Sequence, residues 1–272
     1  MFSGSSARTP RSEHESWTVH CHVLARGRAG LGQTELMAAG SAFVFDLFHT
    51  LVDPERFRSP GFHRVEAVAE VCGLDRDRFG AFWSATYVER ETTPIDPVEL
   101  VERFCEEERD PLTADERASV DDILGICQDE ALRSPEPGIV ELVAKLARRR
   151  LIGVLSNCHE REVRCWGESP LARHVTVFGR SCDIGAMKPD LKPYRWMARQ
   201  LGIEPGESVY VGNGSSDELA GARQAGFGYI VHCNVFDRTN GLVKPEEQLR
   251  RAGQADTTVN TMDELDNALA AC

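Results

Sequence analysis

The sequence predicts an α/β protein: a parallel sheet flanked by helices, with an all-helical insertion after the first strand. Three observations carry this. Short, continuous apolar runs recur along the chain, as strands buried on both faces require. Helical segments lie between these runs, which implies parallel strands joined by right-handed crossovers. Residues 54–135 interrupt the alternation with helix-like patterns and no convincing strand.

Residues 1–40 are rich in Ser, Arg and Gly and show no apolar periodicity, so a disordered extension is expected there. They lack an apolar core long enough for a secretory signal. A chain beginning at Met37 is expected to keep fold and activity. The first strand is Ala42-Phe43-Val44-Phe45. In the insertion, helices are expected over residues 62–71, 79–88, 98–104 and 118–132, punctuated by Pro94, Pro97 and Pro111. Trp83 and Tyr87 fall four apart on one helix face, where packing between helices is expected.

Pro137-Gly138 then opens a helix in which Ile139, Leu142, Val143 and Leu146 share one face. Further strands are expected at residues 151–155, 175–178, 209–211 and 229–231. A helix from about Asp217 stops at Gly226, a natural C′ residue. Thr261 and Glu264 form a capping box for the last helix, which turns Met262, Leu265 and Leu269 inward. Trp166 and Trp196 are read as packing residues. The core is thus expected over 41–53 and 136–272, with the insertion over 54–135. Ligands in open α/β sheets bind at the carboxyl ends of the strands, so an insertion leaving from that edge would lie over the site as a lid.

Composition narrows the function. The 272 residues are 42% hydrophobic and 27% charged, with a formal charge of −12. That balance excludes collagen, coiled coil and general disorder. No apolar run approaches the ~20 residues that span a bilayer. Net negative charge repels a phosphate backbone, and Arg148-Arg149-Arg150 is a short basic cluster, so nucleic acid is not the expected partner. Nine scattered cysteines without a Cys-x-x-Cys pair point to free thiols in a reducing cytoplasm. His20-Cys21-His22 lacks a fourth ligand and is not read as a metal site.

The chemistry gathers at the strand ends. The first strand runs into Asp46, the second into Ser156-Asn157, and Lys188-Pro189 follows the third. The fourth runs into Gly212-Asn213-Gly214-Ser215-Ser216-Asp217. A carboxylate, a hydroxyl, an ammonium and a second carboxylate would converge on one edge of the sheet.

These segments, FVFDLFHTLVD, LSNC, MKPD and VGNGSSDELAGARQAG, resemble the motifs of the haloacid dehalogenase superfamily, over roughly residues 42–272. The stretch 54–135 is similar to the helical (C1-type) cap that this family inserts after its first motif. The resemblance implies a Rossmann-like core and hydrolysis of a small anionic metabolite through a covalent aspartyl intermediate. Asp46 takes the nucleophile position. Ser156 would hydrogen-bond the substrate, and Lys188 would neutralise Asp46 and the transferring group. Asn157 and Phe48 would face the substrate, with Thr50 in a supporting role. Asp46, the carbonyl of Phe48, Asn213 and Asp217 would hold Mg²⁺.

Two departures bear on the reaction. The family's phosphatases carry a second Asp two positions after the nucleophile as general acid and base; here Phe48 stands there. Such proton transfer contributes ~10²–10⁴-fold in rate. His49 is adjacent, but an extended backbone would aim it elsewhere. Asn213 stands where the phosphatases place a metal-binding Asp, which weakens the Mg²⁺ site. An aromatic residue at the Phe48 position and the sequence Leu155-Ser156-Asn157 are instead similar to the 2-haloacid dehalogenases, which use no metal. Those enzymes need a cap arginine; Arg56, Arg58, Arg76, Arg78 and Arg90 are available, in no matching segment. The first expectation is hydrolysis of a phosphate ester or acyl phosphate. The alternatives are metal-free dehalogenation of a 2-haloacid and a catalytically silent binding protein. Leftover apolar surface on the cap could support a homodimer.

Overall fold

The computed structural model describes residues 42–108 and 110–272. The expected N-terminal extension, Met37 and His20-Cys21-His22 lie outside the described residues.

Strand β1 (Ala42–Phe45) is followed by a 3-10 turn (Pro54–Phe57) and, among the described residues, five α-helices: α1 (Arg64–Val71), α2 (Arg76–Ala85), α3 (Tyr87–Thr92), α4 (Pro97–Glu108) and α5 (Ala114–Arg133). The chain returns through α6 (Pro137–Leu146) into β2 (Leu151–Ser156). Next come β3 (Val177–Arg180), α7 (Ser181–Ile184), α8 (Leu191–Leu201), β4 (Val209–Gly212) and α9 (Glu218–Gln224). The last elements are β5 (Tyr229–Cys233), α10 (Val235–Asn240), α11 (Pro245–Ala252), β6 (Thr257–Val259) and α12 (Met262–Ala270).

Among the described residues, six strands pair in parallel, in the order β3-β2-β1-β4-β5-β6. Phe45 is in register with Val154 on one side and Val211 on the other. Helices cover both faces, which is why β1 reads as an unbroken apolar run. Phe43 and Phe45 join Ile139, Leu142 and Val143 of α6 and Leu265 of α12 on one face. Ala42 and Val44 join Tyr194 and Met197 of α8 and Leu219 of α9 on the other. Trp166 stacks on Phe178 with ring centroids 4.4 Å apart, and Trp196 packs against the second cluster. The insertion has its own core, built on Val68, Phe79, Trp83, Val101, Phe104 and Leu124. Arg56 and Glu136, at its two crossings, pair at 2.8 Å. Among the described residues no helix is long and apolar enough to cross a membrane.

Four details differ from the sequence reading. β3 begins at Val177 rather than 175, because Thr176 N donates to Ile152 O before the ladder starts at Gly153↔Val177. β6 has no apolar run to announce it; Thr257-Thr258-Val259 is an edge strand beside β5. Trp83 and Tyr87 belong to different helices separated at Thr86; Trp83 is buried and Tyr87 is exposed. The Thr261 hydroxyl accepts from Glu264 N as expected of a cap, but Glu264 returns its bond to Asn260 N.

Candidate active site

The strand order reverses at β1: β2 and β3 lie to one side, β4 to β6 to the other. The crevice beyond the carboxyl ends of the strands at such a point is where α/β proteins place ligands. Asp46 follows β1 directly, and its backbone N donates to Val211 O at 2.8 Å, which anchors it to β4. The turn after it closes through Leu51 N and Val52 N, both donating to Leu47 O. That turn brings Thr50 back, so that its hydroxyl donates to Asp46 Oδ2 at 3.0 Å.

Lys188 reaches Asp46 from the loop between α7 and α8. Its Nζ donates to Asp46 Oδ1 and to Glu218 Oε2, each at 2.5 Å, and to the Tyr210 hydroxyl at 3.2 Å. Tyr210 in turn donates to Glu218 Oε2 at 2.6 Å. Burial alone would lower the ammonium pKa, but the charges and hydrogen bonds of Asp46 and Glu218 outweigh it and push it up. Lys188 therefore stays charged in a site where it is 2% exposed. Burial and the charge of Asp46 push Glu218 upward, against the pull of Lys188.

The other expected residues divide. Ser156, at the end of β2, is 1% exposed and its Oγ has no hydrogen-bond partner in the protein. Asn157 is turned to the backbone of Lys188: its Nδ2 donates to Lys188 O at 2.9 Å and its Oδ1 accepts from Lys188 N at 2.7 Å. Both ends of its amide are thus bonded to the Lys188 backbone. The Phe48 ring is half-buried against the core cluster. His49 has a left-handed backbone, φ 61°, and its Nδ1 lies 3.8 Å from Asp53 Oδ1, outside hydrogen-bond reach.

The loop after β4 departs most from the sequence reading. Ser216 and Asp217 have φ of 52° and 54°, and the Asp217 carboxylate turns outward to Arg250 and Gln254. The structure does not bring Asp217 to Asp46. Glu218, which the sequence reading passed over, is the carboxylate that meets Lys188. One signal was available: Glu218 stands one turn before Ala222 on the buried face of α9. The Asn213 amide is also committed, with Nδ2 donating to Asp237 Oδ2 at 3.1 Å and Oδ1 accepting from Ser215 N at 3.1 Å.

These donors do not suit Mg²⁺, which needs several hard oxygen ligands in near-octahedral array. Of the four expected ligands, Asp217 faces solvent and Asn213 is neutral and hydrogen-bonded at both ends of its amide. Glu218 cannot replace them: Oε1 accepts from Gly214 N at 3.0 Å, and Oε2 holds Lys188 and Tyr210. Asp46 and the carbonyl of Phe48 are left.

A second polar cluster lies where the cap meets the core. One ligand atom each from Glu91 on α3, His159 and Glu162 fall within 4.8 Å of one another. Two guanidinium groups already serve these acids, Arg64 at 2.9 Å from Glu162 and Arg90 at 3.7 Å from Glu91. Burial pushes Glu91 up to about 8, with Glu162 adding to the shift and Arg90 and Arg64 opposing it. Burial pulls His159 down to about 4, so the imidazole is neutral. Arg90 lies over the Trp83 ring, 4.0 Å from its centroid.

A family model described as haloacid dehalogenase-like hydrolase matches residues 41–226. No curated protein matches the sequence. Among solved structures, a 2-haloacid dehalogenase from Pseudomonas syringae pv. Tomato DC3000 superposes with a TM-score of 0.59 at 20% identity, covering 85% of this chain and 99% of that one. A dehalogenase gives 0.54 at 23% identity, covering 85% and 97%. A HAD phosphatase from Thermococcus onnurineus gives 0.53 at 20%, covering 84% and 97%. At these identities the likeness shows the fold alone, and both reactions occur among the neighbours.

Proposed function

Because the chain belongs to the haloacid dehalogenase-like hydrolase family, we propose that Asp46 is its nucleophile and that it displaces halide from a 2-haloacid without a metal ion. The observation that carries this reading is the set of partners on Asp46. Lys188 and Thr50 hold its two oxygens, and the remaining donors do not suit Mg²⁺; in sequence, Phe48 occupies the position two after Asp46 at which the family's phosphatases carry their proton donor. A halide leaves without a proton, whereas a sugar alkoxide needs one. A phosphate dianion needs more positive charge than Lys188, already shared between two carboxylates, can offer.

An Asp46 oxygen attacks C2 of the substrate; the carbon–halogen bond breaks and halide departs with the electron pair. The buried, unpartnered Ser156 hydroxyl donates to the substrate carboxylate. Water then adds to the Asp46 carboxyl carbon, where Lys188 and Thr50 stabilise the oxyanion. The 2-hydroxy acid leaves, Asp46 is restored, and one proton passes to solvent. Asn157 keeps the Lys188 backbone in place throughout.

The test is a paired turnover assay. EDTA-treated protein is expected to release halide from 2-chloro- or 2-bromopropionate at the same rate with and without added Mg²⁺. Asp46→Asn should lose about 10³-fold or more. Phosphate release that requires Mg²⁺, with no halide release, would overturn the reading in favour of phosphoryl transfer. Undiminished turnover by Asp46→Asn would remove the covalent step.

A further inference from the structure

The loop that carries Asn213 and Asp217 is gripped from outside the sheet by α11. Arg251 Nη1 donates to the backbone O of Asn213 at 3.1 Å and to Asp237 Oδ2 at 2.9 Å. The same Oδ2 accepts from Asn213 Nδ2. Arg251 Nε is fixed by Glu247 Oε1 at 2.9 Å. The stem of the arginine fills the space in front of Gly214: a Cβ there would stand 2.9 Å from Arg251 Cβ, Cγ and Cδ, and φ is +83°. Arg250 and Gln254, on the same side of the loop, take Asp217. Asp237 is 4% exposed, so its charge is met by protein groups rather than water. Burial pushes the Asp237 carboxyl upward, and Arg251 and the Asn213 amide pull it back down.

We propose that the Arg251 guanidinium is the resident cation of this loop: bridged to Asp237 and Asn213, it fixes the end of β4, and with it Glu218 and Lys188, in the arrangement that metal ligation would otherwise impose. This deepens the metal-independent reading and rests on it. Arg251 is a positioning residue, because it acts through Asn213 and Glu218 and touches neither Asp46 nor Lys188. Two loop amides report its work, since Gly214 N and Ser215 N are bonded to Glu218 and Asn213.

The experiment measures hydrogen exchange over residues 213–218 in the full chain, for the wild type, Arg251→Met, Arg251→Lys and Arg250→Met. Arg251→Met is expected to speed exchange there about tenfold or more, the equivalent of one buried charge-assisted hydrogen bond. Arg251→Lys should restore part of the protection. Arg250→Met, whose partner Asp217 is exposed, should change exchange less. With a halo acid that turns over, Arg251→Met should lower kcat with KM unchanged, and added methylguanidinium should recover part of it. Binding of Mn²⁺, read from loss of the free-ion paramagnetic signal, needs no substrate: wild type should take up none at millimolar ion, and Asn213→Asp/Arg251→Met should take it up. Unchanged exchange in Arg251→Met, or Mn²⁺ uptake by wild type equal to that of the double variant, would overturn the proposal. If no halo acid or phosphate ester is turned over, the functional reading fails while exchange and Mn²⁺ uptake still decide on Arg251.

Discussion

A hydroxyl stripped of water with no protein partner, as at Ser156, is destabilising unless something else uses it. Ser156→Ala is therefore expected to leave the melting temperature unchanged or slightly raised, with any change below ~1 kcal/mol. KM for the substrate acid should rise, because its carboxylate loses a donor. A melting curve together with KM separates this from a structural serine, whose loss would lower both stability and activity. The positions of Asp46 and Ser156 were legible because each stands at a strand end that the apolar runs locate within a residue or two, whereas Lys188, eight residues beyond β3 with α7 between, rests on the resemblance of its Met-Lys-Pro-Asp segment. Glu218 was not. Two adjacent carboxylates close the loop after β4, and left-handed backbone at Ser216 and Asp217 decides which one turns inward. Arg250 and Gln254, far along the chain, hold the outward one, and no local pattern foretells that. The partners of Asn157 were not legible for a similar reason: they are the backbone atoms of Lys188, which carry no side-chain signature.

The cap meets the core where α5 lies against the segment Glu160–Glu168. Arg161 enters α5 there, donating to Asp121 O at 2.9 Å and Asp129 Oδ1 at 3.0 Å. Its guanidinium occupies the place of a side chain at Gly125, where a Cβ would stand 1.9 Å from Nη1. Arg161 is 3% exposed and tied at both ends, so it has no room to yield. Gly125→Ala should cost about 1–3 kcal/mol and loosen the cap from the core, measurable by denaturant unfolding and by proteolysis between the two. The same seam sets a pH response. Glu91 keeps its proton in the folded chain up to about 8, whereas an unfolded glutamate releases it near its ordinary value. Folding therefore takes up a proton between those values, and this contribution is present at low pH and fades as pH rises toward 8. His159 works the other way, its contribution being lost as pH falls from about 6.5 toward 4. Glu91→Gln should raise the melting temperature above pH 8 and change it little near pH 5, each kcal/mol being worth about 2–4 °C. A gain at pH 5 equal to that at pH 9 would contradict the assignment. The cap helices were legible from their periodicity; the break at Thr86 was not, because Trp83 and Tyr87 keep helical spacing across it.

At the scale of the molecule, alternating strands and helices foretold a parallel sheet but not its order. That order is set by which faces the crossover helices cover, and it puts β1 between β2 and β4. Its position makes Asp46 central, and it also separates β1 from its partners in time. Ala42 pairs with Leu151 and Phe43 with Val209, so β1 leaves the ribosome long before either neighbour exists. At ~5–20 residues per second the interval is on the order of ten seconds. During it, four apolar residues with two bare edges are exposed, while the cap helices, whose contacts are more local, have already been made. Nascent chains stalled before Val209 should be captured by a chaperone through β1 and released once β4 and α9 emerge. The strand that organises the chemistry is thus the one most at risk of aggregation during synthesis.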